Sequence, residues 1–84
     1  MEDSELLALA AAGVVDARGS ACPGPLLEAK KGIGKVKVGE VLEIVSNDSG
    51  TRKDIPVWAG KVGHEFLGVV AADGCDRIFV RRKK

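Results

Sequence analysis

The sequence predicts an α/β (α+β) two-layer sandwich in the order βαβαββ, with two helices on one face of a mixed four-stranded sheet. Three observations predict this class. The 84 residues allow one small domain. Segments with strand and helix patterns alternate along most of the chain, which favours parallel strands joined by helices. Asp73-Gly74, a dipeptide typical of hairpins, joins the last two predicted strands, which are therefore antiparallel.

The N-terminal part of the chain predicts an extension, one strand and one helix. Residues 1–12 are rich in Ala and Leu and are expected to form an extension, either a short helix or a frayed segment, before a single domain of residues 13–84. The first strand is predicted at 14–17. A helix follows that starts at Cys22, and its apolar residues share one face: Leu26, Ala29, Ile33 and Val36. Two glycines, Gly32 and Gly34, are expected to weaken this helix.

The second half predicts a strand at 41–45, a helix between Thr51 and Val62, and strands at 65–71 and around 78–80. The start of this helix has two interpretations. Either Thr51 is the cap and Asp54 completes a capping box, or Asp54 is itself the cap. The second is preferred because it places Pro56 in the first turn instead of the helix interior. Gly63 is the predicted end.

Composition excludes several classes of function. A formal net charge of +1 argues against a protein that mainly coats nucleic acid or an anionic membrane. The longest apolar run, residues 6–12, is far shorter than the ~20 residues of a membrane span. The acidic N-terminal residues do not resemble a secretory signal, so a cytoplasmic location is expected. Two cysteines and one histidine are too few for a disulfide scaffold or a zinc site. No cofactor or metal is therefore expected.

Cys22 is the leading candidate for chemistry. Cys22 is the expected cap of the predicted helix and Pro23 its first residue. Pro25 stiffens the turn, and Gly24 has no side chain that would hinder access to the sulfur. A helix amino terminus favours a thiolate, and Arg18 is expected to add positive charge nearby. The other interpretation is a small buried apolar residue, which is what free cysteines usually are.

The motif around Cys22 resembles a known family. The run from Asp16 to Leu26 contains Cys-Pro-Gly-Pro and is similar to the signature of the TusA/SirA-like sulfurtransferase family, in which Cys-Pro-x-Pro opens the first helix. Three further segments resemble the same family in register: Gly-Glu-Val-Leu at 39–42, Asp-Ile-Pro-Val-Trp-Ala at 54–59 and Gly-His-Glu at 63–65. The resemblance covers residues 14 to about 82.

This resemblance implies a sulfur carrier. It implies that Cys22 accepts a sulfur atom as a persulfide and passes it to a partner, in transfer-RNA thiolation, molybdenum-cofactor assembly or sulfur oxidation. It also implies a protein donor of the cysteine desulfurase or rhodanese type and a protein acceptor. The fold of the family is similar to the C-terminal domain of translation initiation factor 3, which agrees with the predicted order of strands and helices.

Two other reactive residues each have a functional and a structural interpretation. Cys75 follows the predicted hairpin turn. Its functional interpretation is a resolving cysteine that closes a disulfide with Cys22, and its structural interpretation, which is favoured, is an incidental thiol. The functional interpretation of His64 is a general base for Cys22. The structural interpretation, a junction residue that positions the third strand, is favoured.

The remaining candidates concern partners. Trp58 has helical spacing to Ile55, Ala59 and Val62, which favours a place in the core over a place in an interface. The run Arg81–Lys84 is expected to be a solvated tail, and its alternative role is to attract RNA or an acidic partner. A small RNA-binding or regulatory module that uses this basic C-terminus is the alternative function. With only three aromatic residues in the chain, a base-stacking platform is not expected.

Overall fold

The computed structural model describes residues 3–8, 11–19, 24–48, 50–72 and 74–84. These residues form three helices and four strands: α1 (Asp3–Ala8), β1 (Gly13–Asp16), α2 (Gly24–Ile33), β2 (Val41–Ser46), α3 (Thr51–Val62), β3 (Glu65–Ala72) and β4 (Cys75–Arg81).

The strands form one mixed sheet in the order β1-β2-β4-β3. β1 pairs with β2 in parallel, whereas β4 is antiparallel to both β2 and β3. The predicted fold class is confirmed: from β1 onward the elements follow the order βαβαββ, with α1 before them, and α2 and α3 cover one face of the four-stranded sheet. The last strand in the chain, β4, therefore occupies an interior position of the sheet.

The predicted apolar stripe of α2 packs on this helix-covered face. Ala29, Ile33 and Val36 are buried and Leu26 packs against them, although α2 ends at Ile33 and Val36 lies in the turn beyond it. Gly32 has a packing role that the sequence did not indicate. A Cβ at this position would collide with the side chain of Val15, so the glycine lets α2 approach β1 closely.

The preferred start of the second predicted helix is wrong. α3 begins at Thr51, its N-cap is Gly50 without a side-chain cap hydrogen bond, and Asp54 lies within the first turn. Pro56 is therefore inside the helix, where it has no N–H to donate to the carbonyl of Arg52. The helix persists because its buried face is anchored in the core by Ile55, Trp58 and Ala59. The predicted end at Gly63 is confirmed, with a left-handed φ of 84°.

The opposite face of the sheet carries a second, smaller core. The short helix α1 places Leu6, which is 1% exposed, against Val41, Val70 and Phe79. Residues assigned in advance to an extension thus contact the sheet directly. The division into residues 1–12 and 13–84 stays a prediction.

An ion pair between a buried carboxylate and a half-buried guanidinium lies on this same face of the sheet. Glu43 of β2 is 6% exposed and accepts two hydrogen bonds from the guanidinium of Arg77 on β4, at 2.8 and 3.0 Å. The Arg77 guanidinium also lies 5.8 Å from the centroid of the Phe79 ring. Hydrogen bonding to Glu43 raises the pKa of Arg77. Each carboxylate oxygen of Glu43 accepts one of these hydrogen bonds, and this pairing offsets the cost of placing the charges beside apolar neighbours.

The prediction of a solvated basic tail is wrong for Arg81 and Arg82. Arg81 belongs to β4 and forms an ion pair with Glu65 at 3.3 Å. The backbone of Arg82 exchanges hydrogen bonds with residues 39 and 40, and its guanidinium donates to the carbonyl oxygen of Val36 at 2.6 Å. Part of the charge that an RNA-binding tail would need is therefore committed to contacts within the fold.

Candidate functional site

Two strand-to-helix connections and the β3–β4 hairpin meet at one edge of the sheet, here called the carboxyl edge. β1 ends at Asp16 opposite Val45, and β2 ends one residue later at Ser46 opposite Asp76. At the hairpin, Ala72 of β3 pairs with Cys75 of β4. The β1–α2 connection, which contains the candidate motif, therefore leaves the sheet at the same edge as the β2–α3 connection.

The β1–α2 connection is described on both sides of the motif cysteine. The N–H of Ala17 donates to the carbonyl oxygen of Val45 at 2.7 Å, which extends the parallel pairing by one residue. Gly19 has a φ of 87° and donates its N–H to the side-chain oxygen of Asn47 at 3.1 Å. The left-handed φ favours glycine at this turn.

The predicted roles of Cys22 and Pro23 fall outside the described residues, as does the side chain of Pro25. α2 is described from Gly24 onward, and Gly24 is half-buried. Gly19 and Gly24, the described residues on either side of Cys22, both lie at the carboxyl edge, and Gly24 begins a ten-residue helix. A helix amino terminus presents backbone N–H donors and the positive end of the dipole, which favour an anion.

Arg18 is paired with Asp16 on the approach to this helix. Its Nε and Nη2 donate to the two carboxylate oxygens at 2.9 and 2.8 Å, and its backbone N–H donates to the carboxylate at 3.1 Å. Hydrogen bonding from the guanidinium lowers the pKa of Asp16 to about 2. The expectation that Arg18 adds positive charge near Cys22 stays a prediction, and the structure shows that this charge is already balanced by a carboxylate.

Cys75 lies at the same edge, at the first position of β4. Its thiol is free and the residue is half-buried. The pKa of Arg18 at this edge is raised, chiefly by the hydrogen bond to Asp16. A resolving role toward Cys22 stays a prediction. The hairpin residue Asp73 lies outside the described residues.

His64 lies at the opposite edge, where α3 ends and β3 begins. Its N–H donates to the carbonyl oxygen of Ala59 at 2.8 Å, which closes the helix at Gly63. Its ring is 5.8 Å from the Trp58 ring, and its Nδ1 accepts a hydrogen bond from the backbone N–H of Lys83 at 3.1 Å. Burial, with the nearby charges of Arg82 and Lys84, lowers the pKa of His64. These contacts are those of a junction residue.

The position of His64 also bears on its other predicted role. β3 runs from Glu65, beside His64, to Ala72 at the carboxyl edge, which is about 25 Å of extended strand. Gly19 and Gly24, which flank the motif cysteine, belong to the connection at that carboxyl edge. The general-base role of His64 toward Cys22 stays a prediction, and this placement gives it no support.

A groove between α2 and α3 was not predicted from the sequence. It has a volume of about 290 Å³ and is lined by Leu26, Lys30, Lys53, Asp54, Val57, Trp58 and Lys61. The sequence assigned Trp58 to the core, and it is 7% exposed, so it both packs inside and forms part of the groove floor. The groove depends on how two helices separated in sequence are placed side by side. A single helical pattern does not indicate it.

Two further properties concern the described part of the chain. No group of three or more His, Cys, Asp or Glu side chains there is placed to hold a metal ion. Among the helices so described, none combines the length and apolar character needed to span a bilayer.

The comparison with protein families gives the assignment. A sequence model described as Sulfurtransferase TusA matches residues 13–82, which include the whole sheet, α2 and α3. The chain belongs to the TusA sulfurtransferase family. The matched region contains Cys22 and both connections of the carboxyl edge.

Individual relatives agree with the TusA assignment. A protein of Archaeoglobus fulgidus, named "Putative sulfur carrier protein", is 51% identical over 71 residues, which are 84% of this chain and 97% of that protein. "Sulfur carrier protein TusA" of Pseudomonas entomophila is 35% identical over 69 residues, 82% of this chain and 86% of that protein. The crystal structure of a SirA-like protein from Desulfitobacterium hafniense has a TM-score of 0.68 at 23% identity, and the match covers 86% and 99% of the two chains. The last comparison supports the fold.

Proposed function

We propose that this protein is a sulfur carrier that accepts a sulfur atom as a persulfide on Cys22 and relays it to a partner protein. The observation that carries the proposal is the TusA family match over residues 13–82, which includes the Cys-Pro-Gly-Pro sequence of residues 22–25. The carrier acts as a sulfurtransferase between two proteins. A donor of the cysteine desulfurase or rhodanese type and an acceptor with its own thiol are the expected partners.

The proposed transfer conserves atoms and electrons at each step. The Cys22 thiolate attacks the terminal sulfur of a cysteine persulfide on the donor. The donor's sulfur–sulfur bond breaks, its own cysteine leaves as thiolate, and a new sulfur–sulfur bond holds the terminal sulfur on Cys22. An acceptor thiolate then attacks that terminal sulfur, and Cys22 leaves as thiolate, so that there is no net oxidation or reduction.

The carboxyl edge supports this chemistry in two ways. A helix amino terminus stabilises an anion, whether thiolate or persulfide, and thereby improves Cys22 both as nucleophile and as leaving group. The flanking contacts of Asp16, Arg18 and Gly19 are exposed, so a large partner can reach this part of the carboxyl edge. A reducing compartment keeps a thiol such as that of Cys22 from forming a disulfide, and a cytoplasmic location is part of the proposal.

Intact-mass spectrometry after incubation with a cysteine desulfurase and free cysteine tests the proposal. The reduced protein is expected to gain one sulfur atom, which dithiothreitol then removes. Cys22→Ala is expected to abolish the gain, and Cys75→Ala is the matched control that retains it. The proposal fails if desulfurase and rhodanese donors, each shown to load another TusA protein, leave the wild-type mass unchanged. It also fails if Cys22→Ala still gains sulfur.

A further inference from the structure

The groove between α2 and α3 has an apolar floor. Leu26 contributes from the first turns of α2, while Trp58 and Val57 contribute from the middle of α3. Val57 is 58% exposed, although an aliphatic side chain on a helix usually turns toward the core. An exposed valine beside a tryptophan is the composition of a contact surface for another apolar group.

Lysines surround this floor. Lys30 of α2 and Lys53 and Lys61 of α3 line the groove and are all exposed. None of the three forms an ion pair with any residue in the described ranges. Asp54 is the one acidic residue of the lining, which therefore carries three positive charges and one negative, a net +2. Unpaired amines around an apolar floor attract a ligand that has both carboxylates and aliphatic groups.

We propose that this groove binds an acidic, amphipathic segment of a partner protein. Aliphatic side chains of the segment contact Leu26, Val57 and Trp58, and its carboxylates pair with the three lysines. Lys53 and Lys61 are eight residues apart on α3, which corresponds to about 12 Å along the helix axis. A segment of four extended residues or two helical turns spans that distance. RNA fits less well because Trp58, the only aromatic residue of the lining, is 7% exposed and offers little surface for base stacking.

The groove begins next to the motif connection. Leu26 follows Gly24, the first described residue of α2, by two positions, and Lys30 lies one turn farther along the same helix. A protein segment bound there brings the rest of its protein to the carboxyl edge. That this partner is a sulfur donor or acceptor rests on the proposed function. Binding of an acidic segment to the groove does not require that function.

Trp58 supplies the signal for a direct test, because it is the only tryptophan of the chain and there is no tyrosine. The probe is a blocked decapeptide of alternating Glu-Glu and Leu-Leu pairs, titrated at low salt. A saturable change in Trp58 emission is expected. Peptides with Ser in place of Leu, or Lys in place of Glu, are expected to bind at least about fivefold more weakly. A decauridylate RNA is titrated in parallel.

Matched charge reversals locate the binding. Lys30→Glu combined with Lys61→Glu is expected to weaken peptide binding about tenfold. Lys35→Glu combined with Lys37→Glu makes the same change of net charge at exposed positions outside the groove, and is expected to change it less than about twofold. Circular dichroism of all variants checks the fold. Lys53→Gln, a milder change at an exposed site, is expected to weaken binding by about twofold.

Several results would overturn the proposal: no saturable signal, equal binding of the Ser-containing peptide, equal loss in both double variants, or tighter binding of the RNA than of the acidic peptide. Its failure can be distinguished from failure of the sulfur-carrier function. Cys22→Ser is expected to bind the peptide like wild type. If mass spectrometry shows no sulfur gain while the peptide binds in the groove, only the sulfur-carrier function is wrong.

Discussion

The β1–α2 and β2–α3 connections leave the same edge of the sheet and each ends in a helix, but they are held by different contacts. In the β2–α3 connection, the hydroxyls of Ser46 and Thr51 are hydrogen-bonded at 3.0 Å, and both residues are at most 1% exposed. The N–H of Asp48 donates to the Ser46 hydroxyl at 3.1 Å. In the β1–α2 connection, the corresponding contacts of Arg18 and Gly19 are exposed to solvent.

This difference indicates that the two connections contribute unequally to the stability of the fold. Buried hydrogen bonds cost more to lose than exposed ones because their partners are left without water. The β2–α3 connection is therefore expected to contribute to the free energy of unfolding. The exposed contacts of Arg18 and Gly19 in the β1–α2 connection are expected to contribute little to it, and exposed flanks are what the proposed relay between two large partners requires.

The largest expected contrast is between two adjacent residues. Ser46→Ala removes the partner of the Thr51 hydroxyl and of the Asp48 N–H, and is expected to lower the free energy of unfolding by about 2 kcal/mol. Asn47→Ala removes the exposed acceptor of Gly19 and is expected to change it by less than about 0.5 kcal/mol. Urea denaturation measures both. Equal costs would remove the distinction between the two connections.

A pair of glycine substitutions tests the backbone of each connection. Gly19 has a φ of 87°, and a Cβ there would meet no atom within 4 Å in the described residues beyond its chain neighbours. Gly19→Ala is therefore expected to carry the conformational penalty alone, about 1 kcal/mol. Gly50 has a φ of −63°, which any residue adopts. Gly50→Ala is therefore expected to show no backbone penalty in thermal unfolding. A neutral Gly19→Ala would mean that the β1–α2 turn relaxes freely in solution.

The ion pairs of the two connections are expected to differ less. Arg52 of α3 pairs with Asp76 of β4 at 3.1 Å, and the Asp76 side chain is only 18% exposed. Arg52→Met is expected to lower the free energy of unfolding by about 0.5 kcal/mol at low salt. Arg18→Met removes an exposed pair that solvent screens, and is expected to lower the free energy of unfolding by less than Arg52→Met. A larger effect of Arg18→Met would assign a stabilising role to the motif connection.

The smallest effect is a titration without a large change in stability. The pKa of Asp16, about 2 in the folded protein, is expected to rise toward its ordinary value of 3.8 in Arg18→Met, and NMR of the side-chain carboxyl measures it. Because the folded pKa is lowered, the stabilisation by this group is present above 3.8 and lost as the pH falls through about 2. Arg52→Met is the control and should leave the titration of Asp16 unchanged.

Features set by short-range pattern were predicted from the sequence. The three- and four-residue spacing of Leu26, Ala29 and Ile33 indicated the buried face of α2, and Gly63 indicated the end of α3. The motif around Cys22 indicated the family, and the TusA match over residues 13–82 confirms it. Such signals lie within one or two turns of the chain and need no knowledge of distant partners.

Features that depend on distant partners were missed or predicted wrongly. The start of α3 was predicted too late because a proline is disfavoured in a helix interior. In the structure, the buried hydroxyl pair and the core contacts of Ile55 and Trp58 stabilise a helix that begins at Thr51. The burial of Glu43 depends on Arg77, which is 34 residues away in the sequence. Arg82 was expected in solvent because a local sequence pattern does not reveal its acceptor, the Val36 carbonyl, which is 46 residues away. The groove requires both helices in place.

The central position of β4 has a consequence for how the chain acquires its structure during synthesis. β2 and β3 do not pair with each other, and both hydrogen-bond to β4, which is synthesised after the other three strands of this sheet. Until residues 75–81 emerge, β2 has only the short β1 as a neighbour and exposes an unpaired edge, which is prone to association with other chains. Folding is therefore expected to be completed only after β4 has left the ribosome, in one late step that joins both halves of the sheet.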